Sequence, residues 1–549
     1  MTLHAAIVGS GPNGLTAACT LARAGWRVTV YEAAELPGGA ARSAELFGTG
    51  LISDLGSSVH PLTAASSAYA SILGRRDALS RGIDFVHPAV AAAHPSDDDG
   101  ASPALLHRSL EQTAEGLGED AELWRWVIGP LVNNWDAVRD AIFTPPSRPF
   151  TGITDHYEPG GGLTPRRIAD ALRKSLVAGT ERGVAFATFG SVGAMPARNM
   201  MRSFKTPRGR ALFAGLAAHS TGPLTRPLTS AVGVILAAAA HTVGWPVIRG
   251  GSQKLVDALI ADLSAHGGEI VTDFRVNAIR EAPLTGPSQG VRKSLKRHGY
   301  RIEGMRAEGR INRRHAGEEV ADVVVLDLTP QQMLQLDGLH LTDRVTRRMK
   351  RWQYGPGVVK IDYLVDGPIP WQREELGQAG TVHLGGSAEQ ITASEAAANS
   401  GVLPGRPYVL VAQPSAADDS RTPDHRTISW AYAHVPLGLD AAGTARAAQL
   451  IEQEILRYAP QFREAVLERR IWGPAELEAW NANLVGGSVS AGLTTIGQTF
   501  AGPASIRSPY SAGMAGIYTC SAATPPGGGA HGMSGYNAAN AVLRDTHTS

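Results

Sequence analysis

A glycine-rich turn near the start of the chain constrains the fold more than any other feature. Residues His4–Val8 form a largely apolar stretch typical of a buried strand, and residues 9–14 read Gly-Ser-Gly-Pro-Asn-Gly. The small and apolar residues 15–24 are typical of a packed helix, and a second strand, Arg27–Tyr31, ends at Glu32. This order of strand, tight turn, helix and strand predicts the opening βαβ unit of a dinucleotide-binding domain.

Each glycine of this turn has a separate expected role. Gly9 permits the tight turn, Gly11 lets a pyrophosphate approach the backbone, and Gly14 lets the helix pack closely on the strand. The helix N-terminus then faces the phosphates with its unpaired N–H groups. Glu32 is placed to accept hydrogen bonds from ribose hydroxyls. The motif indicates a dinucleotide, but it does not by itself separate NAD from FAD.

Size and composition narrow the classes of function. The 549 residues are too many for one ordinary core and predict two or more domains. A net charge of +1 provides no overall field that would select nucleic acid. The two cysteines, Cys19 and Cys520, form neither a disulfide framework nor a metal-binding set, and they suit a reducing cytoplasm. The N-terminus has no basic region followed by an apolar run and a cleavage site, so we expect a cytoplasmic protein. No metal-ligand motif is found, so no bound metal is expected.

Membrane association depends on two stretches of the sequence. The longest uncharged stretch, residues 227–248, has an apolar centre of only residues 231–240, which predicts a buried helix rather than a membrane span. Residues 284–299 read as a solvated loop whose basic side chains could touch anionic lipid. A peripheral membrane contact therefore stays open as an alternative. The sequence leaves the oligomeric state open.

The rest of the chain alternates between helical and strand-like stretches. Apolar residues at helical spacing predict helices over residues 123–142, 165–176, 208–219, 253–266 and 442–458. Further strands are expected over residues 269–272, 275–279, 300–305 and 320–326. Residues 358–364, 408–413 and 427–434 look like strands of another, more exposed sheet.

Three more segments fit the same site as the N-terminal turn. Residues 36–43 read LPGGAARS, and their paired glycines let the backbone approach a pyrophosphate from its other side. Residues 52–61 read ISDLGSSVHP. Near the C-terminus, a strand over residues 516–521 leads through a glycine-rich turn into a helix over residues 530–543. The N-terminus of that helix, aimed at a flavin pyrimidine, would stabilise the negative charge that builds near N1 and O2 on reduction.

These segments resemble the phytoene desaturase-like branch of the flavin amine oxidase superfamily. The resemblance covers nearly the whole chain and is strongest in residues 7–60, 250–279 and 516–541, the last reading GIYTCSAATPPGGGAHGMSGYNAANA. It implies an α/β protein with a discontinuous Rossmann-like FAD-binding domain, an α+β substrate-binding domain and non-covalently bound FAD. The FAD-binding domain is expected over residues 1–75, 245–335 and 500–549, and the substrate-binding domain over residues 76–244 and 336–499.

The resemblance also implies roles for single residues. The positions carried over are Gly9, Gly11 and Gly14 at the pyrophosphate, Glu32 at the adenosine ribose, Gly38, Gly39 and Arg42 along the diphosphate, Val276 at the adenine through its backbone, and Gly528, Gly529, His531, Gly532 and Met533 around the flavin ring. Two positions depart from the best-known carotenoid desaturases. Ala40 stands where those proteins usually have Arg, and Pro525-Pro526-Gly527 stands where they usually have His-Pro-Gly. Both departures lean toward less characterised relatives.

The chemistry implied by the resemblance is hydride transfer to flavin N5 from a bulky, largely apolar small molecule such as an isoprenoid or polyene. A flavin-dependent double-bond isomerase or saturase, an amine oxidase and a non-enzymatic flavoprotein scaffold are the alternatives. His60 and His531 are the candidate proton carriers, with a structural hydrogen-bonding role as the competing interpretation. We expect that the turn itself does not require the His531 side chain.

Overall fold

The structure is a computed structural model that describes residues 2–74, 82–98, 100–145, 189–283, 298–305 and 320–546. The helix predicted over residues 165–176 and most of the predicted basic loop 284–299 lie outside the described residues.

The described residues form the following elements. The strands are β1 His4–Val8, β2 Arg27–Tyr31, β3 Ser43–Glu45, β4 Ile52–Asp54, β5 Phe85–Val86, β6 Val90–His94, β7 Ala104–Leu106, β8 Val247–Ile248, β9 Glu269–Val271, β10 Arg275–Pro283, β11 His298–Met305, β12 Val320–Ala321, β13 Val323–Leu326, β14 Gly357–Val365, β15 Ala379–Leu384, β16 Val409–Ala412, β17 Thr427–Val435, β18 Val466–Trp472, β19 Ser511–Met514 and β20 Ile517–Thr519. The α-helices are α1 Pro12–Arg23, α2 Pro61–Ala64, α3 Ser67–Leu73, α4 Leu110–Gly116, α5 Ala121–Asn133, α6 Trp135–Phe143, α7 Ala197–Met201, α8 Pro207–Ala218, α9 Thr229–Thr242, α10 Gln253–Ala265, α11 Pro330–Met333, α12 Asp343–Lys350, α13 Ala388–Asn399, α14 Ala441–Leu456, α15 Phe462–Ala465, α16 Pro474–Trp480, α17 Ile496–Ala501 and α18 Met533–Thr546.

A six-stranded sheet unites the beginning, the middle and the end of the chain. Its order is β19-β20-β13-β1-β2-β9, and every neighbouring pair is parallel except the β19–β20 pair at the edge. Side chains alternate between its two faces. Ala5 and Ile7 of β1 pack against α1, α10 and α18, whereas Ala6 and Val8 pack on the side of β10 and β11. This is a doubly covered parallel sheet, and the predicted α/β class with a Rossmann-like domain is confirmed.

A seven-stranded sheet of order β18-β14-β17-β16-β15-β6-β7 forms the second half. The prediction of a more exposed sheet is wrong, because every residue of β14, β15 and β16 is buried. Helix α14 covers one face, where Ile361 and Tyr363 of β14 pack with Ile451. The opposite face carries Lys360 and Asp362. A strand covered on both faces keeps its apolar character throughout, and the two charged positions are therefore the exceptional ones.

A layer of helices packs beside the seven-stranded sheet. Its buried core contains Trp124, Phe213 and Ala239. The single helix predicted over residues 123–142 is two helices, α5 and α6, because the backbone of Asn134 leaves the helical conformation. The uncharged stretch forms α9, which is largely buried. Among the described residues, no helix is both long enough and apolar enough to cross a membrane.

Candidate cofactor site

Four parallel strands end at one edge of the six-stranded sheet, and the residues that follow them form the centre of the site. Gly9 follows β1, Glu32 follows β2, Asp327 follows β13 and Cys520 follows β20. Backbone hydrogen bonds fix their order, because the Gly9 N–H donates to Tyr31 O at 2.8 Å and the Asp327 N–H donates to Val8 O at 2.8 Å. In open α/β sheets, ligands bind outside this carboxyl edge.

The N-terminal turn has no room for a side chain at its glycine positions. A Cβ atom on Gly14 would lie 2.1 Å from the Gly9 carbonyl oxygen, and one on Gly11 would lie 2.7 Å from an oxygen of Asp327. Gly9 has a φ of +101°, a conformation that residues with a side chain rarely adopt. Helix α1 begins at Pro12, whose missing N–H costs nothing in the first turn. The turn is thus a backbone cradle that fits a phosphate group approaching the helix N-terminus.

Glu32 is anchored at the mouth of this cradle. One carboxylate oxygen accepts hydrogen bonds from the Ser10 N–H at 2.9 Å and the Ser10 hydroxyl at 2.5 Å. The other accepts from the Ala34 N–H at 2.8 Å. The side chain remains half-exposed. A carboxylate held in this way keeps lone pairs for a further donor, and the role of Glu32 at a ribose stays a prediction.

The paired glycines lie directly on the N-terminal turn. The Gly38 N–H donates to Ser10 O at 3.1 Å, and a Cβ atom on Gly39 would lie 2.9 Å from Gly11 Cα. Arg42 donates to Gly39 O at 3.1 Å and to Trp480 O at 2.9 Å, and its guanidinium lies 4.6 Å from the centre of the Trp480 ring. Trp480 could not be predicted as a neighbour of Arg42, because nothing in the sequence connects two residues that lie 438 positions apart.

The C-terminal turn meets the same cradle from the other side. Gly528 and Gly529 are exposed, whereas the rest of the turn is fixed by hydroxyl groups of α2 and α3. Thr63 and Tyr69 both donate to Ala530 O at 3.0 Å. A Cβ atom on Gly535 would lie 1.8 Å from Asn13 O, so α18 and α1 begin side by side. Two helix N-termini therefore converge where an anionic cofactor would be stabilised by both.

His531 is part of the framework of the C-terminal turn. Its Nδ1 accepts a hydrogen bond from the Met533 N–H at 3.1 Å, and its ring lies 5.3 Å from that of Phe143. Burial lowers the pKa of His531 to about 4, against hydrogen bonds to the Gly528 and Gly527 backbone that raise it. The imidazole accepts a hydrogen bond that would otherwise be lost at the start of α18, which speaks against the expectation that the turn does not require this side chain.

His60 is also held inside the protein. Its Nδ1 lies 3.1 Å from the Thr63 hydroxyl and its Nε2 lies 2.8 Å from the Ser252 hydroxyl. Burial lowers its pKa to about 4, with Arg421 lowering it further and Asp54 opposing. Both nitrogens already have protein partners, so the structure favours the structural interpretation for this residue as well.

The remaining predicted site residues lie around the cradle at different depths. Gly532 faces α1, where an added Cβ atom would lie 2.3 Å from the Thr16 hydroxyl. Met533 is buried in the helical core, and its sulfur accepts a hydrogen bond from Ser67 at 3.5 Å. Val276 lies at a register shift in β10 and packs in the same cluster as Tyr31. The Met533 side chain thus belongs to the helical core, and its place at the flavin ring stays a prediction.

The seven-stranded sheet presents a mixed aromatic and charged face to the site. We call this face the platform and define it by Lys360, Asp362, Trp430 and Tyr432, which pair across β14 and β17. The Lys360 Nζ donates to an Asp362 oxygen at 2.5 Å and to Asp54 O at 3.1 Å. Since Asp54 belongs to the third predicted cofactor segment, this lysine joins the two halves. Lys360 and Asp362 break an otherwise apolar run, a signal that the sequence analysis could have used.

Comparison with known proteins supports this architecture. A family model described as an NAD(P)-binding Rossmann-like domain matches residues 7–73. The chain is 26% identical over 588 residues to a Rattus norvegicus protein named pyridine nucleotide-disulfide oxidoreductase domain-containing protein 2, covering 98% of this chain and 93% of that protein.

Solved structures of oxidoreductases share the fold. A structure of wild-type putrescine oxidase bound to putrescine superposes with a TM-score of 0.57 at 15% identity, covering 99% of this chain and 100% of the other. Cyclohexylamine oxidase from Brevibacterium oxydans superposes with a TM-score of 0.53 at 11% identity, covering 99% of both chains. These structures show the fold, the model matched over residues 7–73 supports a dinucleotide-binding site, and none of these descriptions names a phytoene desaturase.

Proposed function

We propose that the chain is an FAD-dependent oxidoreductase, a dehydrogenase, desaturase or oxidase, that binds FAD non-covalently and acts on a bulky, largely apolar small molecule such as an isoprenoid or polyene. One observation carries the choice of FAD over a nicotinamide cofactor. The glycine turn at the start of the chain and the glycine turn near its end lie at one place, with α1 and α18 beginning side by side. A nicotinamide dinucleotide would need the N-terminal turn, but it would not explain why the C-terminal glycine turn lies at the same place.

The residues present fit FAD on steric and electrostatic grounds. The cradle of Gly9, Gly11 and Gly14 would hold the pyrophosphate, and Glu32 would hold the adenosine ribose. The exposed Gly528 and Gly529 would lie against the flavin ring. When bound, FAD accepts a hydride at N5. The chain's own contribution is to bind the cofactor, to orient the substrate and to exclude water from the reacting groups.

The platform supports a bulky, partly apolar substrate. The Trp430 and Tyr432 rings are nearly parallel, at 10°, with centres 5.7 Å apart. Leu410 and Ala412 pack with Trp430, and Val59 of the third cofactor segment packs against the same cluster. Lys360 and Asp362 neutralise one another, so the platform offers an aromatic surface with little net charge.

An amine is the second candidate substrate, and a specific buried acid favours it. Glu395 of α13 is fully buried and bonds at 2.8 Å to His434, which shares a face of β17 with Trp430 and Tyr432; the second oxygen of Glu395 has no hydrogen-bond partner among the described residues. The His434 ring lies 5.5 Å from that of Tyr432. Aromatic ring faces attract an ammonium group, and a carboxylate near them would add to that attraction. A flavin-dependent isomerase or saturase would use the same site without net oxidation of the substrate.

No proton transfer is assigned to His60 or His531, because both imidazoles are held by protein groups. The two substrate classes are separated by anaerobic mixing of the flavin-loaded protein with a polyene or polyprenoid and, separately, with a primary amine. We expect loss of the oxidised flavin absorbance with the apolar compound. Loss of the flavin absorbance with the amine alone would favour an amine as the substrate. Product formation without an electron acceptor would indicate an isomerase.

A peripheral membrane contact is part of the proposal, and a basic and apolar patch supports it. Arg348 donates to the carbonyls of Gly497 and Gly502 at 2.8 and 3.0 Å, which fixes α12 beside α17. Exposed side chains lie on both helices. They are Arg344 and Arg347 on α12, and Ile496 and Phe500 on α17, the last two 60% and 40% exposed. Exposed apolar groups beside cations are complementary to an anionic lipid surface.

Vesicle co-sedimentation tests this patch. Arg344→Glu with Arg347→Glu should weaken binding to phosphatidylserine-containing vesicles by at least about tenfold, since each basic residue near the surface contributes about 1 kcal/mol. Lys254→Glu with Arg446→Glu is the charge-matched control, because both residues are exposed elsewhere on the protein. Equal binding of the two double variants would remove the membrane contact from the proposal.

A further inference from the structure

Asp327 occupies the inside of the N-terminal glycine turn. It follows β13 directly, and its backbone is tied to β1 through the hydrogen bond to Val8 O. Its carboxyl Oδ2 accepts the Gly14 N–H at 3.0 Å and would lie 2.7 Å from a Cβ atom on Gly11. The side chain is buried, with 5% of the residue exposed. An acid therefore takes one of the helix N-terminal donors that a pyrophosphate would use.

The surroundings of Asp327 do not compensate a negative charge. Among the described residues, the carboxyl has no hydrogen bond from an arginine or lysine. The titratable groups that face it are Glu32 after β2, Tyr69 on α3 and Cys520 after β20. None of these carries a positive charge. Burial raises the pKa of Asp327 to about 7, the Gly14 N–H opposes this rise, and Glu32 adds to it.

We propose that Asp327 binds a proton together with FAD, so that the chain holds the pyrophosphate with this side chain in its neutral carboxylic acid form. The inference rests on the proposed function, because it requires the dinucleotide to be FAD or a similar diphosphate. A carboxylate and a pyrophosphate beside one helix N-terminus repel each other. A neutral acid removes the repulsion, still accepts the Gly14 N–H with one oxygen, and gains an O–H that can donate to an anion.

Proton uptake makes the affinity for FAD depend on pH. The proton comes from solvent, so about one proton is taken up per FAD when the free protein is ionised at Asp327. The dissociation constant should then be nearly constant below about pH 7 and rise by about tenfold per pH unit above it. Asp327→Asn imitates the neutral acid, because the amide accepts with its oxygen and donates with its nitrogen.

The test is FAD titration of apoprotein from pH 5.5 to pH 9, followed by flavin fluorescence. Wild type should show the rise, whereas Asp327→Asn should show a flat profile and bind FAD at least about tenfold more tightly than wild type at pH 8.5. A flat profile for wild-type protein that does bind FAD would overturn the inference and leave the proposed function standing. Wild-type protein that binds no FAD at any pH would overturn the proposed function itself.

A second measurement uses wild-type protein alone and does not depend on the folding of the variant. Calorimetric FAD titrations at pH 8 in buffers of different ionisation enthalpy report the number of protons exchanged. We expect uptake of about one proton per FAD. An uptake of zero would exclude Asp327 as a linked acid.

Discussion

The two glycine turns of the cofactor site need glycine for different physical reasons. In the N-terminal turn, neighbouring atoms fill the space that a Cβ atom would take, at 2.1 Å for Gly14 and 2.7 Å for Gly11. In the C-terminal turn, Gly527 has open space around it but a φ of +109°, and Gly528 has only ordinary contact distances. The first turn is therefore a sterically closed cradle, whereas the second is more open and depends mainly on backbone conformation; of Gly527, Gly528 and Gly529, only Gly529, with a φ of +128°, would bring an added Cβ atom close to a neighbour, at 2.9 Å from the His531 ring.

The largest expected effect comes from filling the closed cradle. Gly11→Val places a branched side chain against the Asp327 carboxyl, so we expect a loss of FAD affinity of at least about a hundredfold. Gly405→Val is the matched control, because Gly405 is exposed, has no atom within 4 Å of an added Cβ and does not have positive φ. FAD content after gel filtration measures the difference. Full flavin occupancy in Gly11→Val would show that the N-terminal turn does not hold the pyrophosphate of FAD.

Replacing the imidazole that caps the C-terminal turn should have the next largest effect. His531→Ala removes the acceptor for the Met533 N–H, which costs about 1–2 kcal/mol of stability, and weakens the packing on Phe143. We expect a lower melting temperature and partial loss of FAD, with the pH profile of flavin reduction unchanged around neutral pH. A normal melting temperature combined with a shifted pH profile would instead assign His531 to catalysis.

The stability of the apoprotein should depend on pH in opposite directions through the two turns, because Asp327 has a raised pKa and His531 a lowered one. Asp327 has a pKa raised to about 7, so its stabilising contribution is present below pH 4 and is lost as the pH rises toward 7. His531 has a pKa lowered to about 4, so its contribution is present above about pH 6.5 and is lost as the pH falls toward 4. Each pKa shift corresponds to a change of about 3–4 kcal/mol in the free energy of unfolding.

Urea unfolding of apoprotein across pH 4–9 checks these signs. At pH 8, Asp327→Asn should be more stable than wild type, because it no longer buries a charge. At pH 4.5, His531→Ala should lose less stability relative to its own value at pH 7 than wild type loses. Parallel pH profiles for all three proteins would show that neither turn contains a shifted group.

The N-terminal half of the site could be predicted from the sequence because its constraints are local. The bounds of β1 and β2 agree with the structure, since strand, turn and helix follow one another directly. Asp327 was missed because only tertiary structure brings a residue 313 positions away to Gly14 N. The same holds for Trp480 beside Arg42. The division into two domains at the predicted boundaries stays a prediction.

The face of the seven-stranded sheet that forms the platform was harder to predict from the sequence, for a different reason. Strands β14 to β16 are covered on both faces, and such strands show no alternation from which a face could be assigned. In the sequence of β14, Lys360 and Asp362 mark the face that meets the cofactor segments, where Lys360 contacts Asp54 and Val59 packs against the Trp430 cluster. His60 and His531 were singled out for their residue type, whereas their hydrogen-bond partners give both a structural role.

We propose that two glycine turns from opposite ends of the chain form one FAD site. The most direct measurement is the absorbance spectrum of the purified protein, followed by denaturation and identification of the released cofactor. The account predicts a yellow protein that releases about one FAD per chain, with no flavin left attached to the polypeptide. Protein that instead contains stoichiometric NADP and no flavin would contradict it.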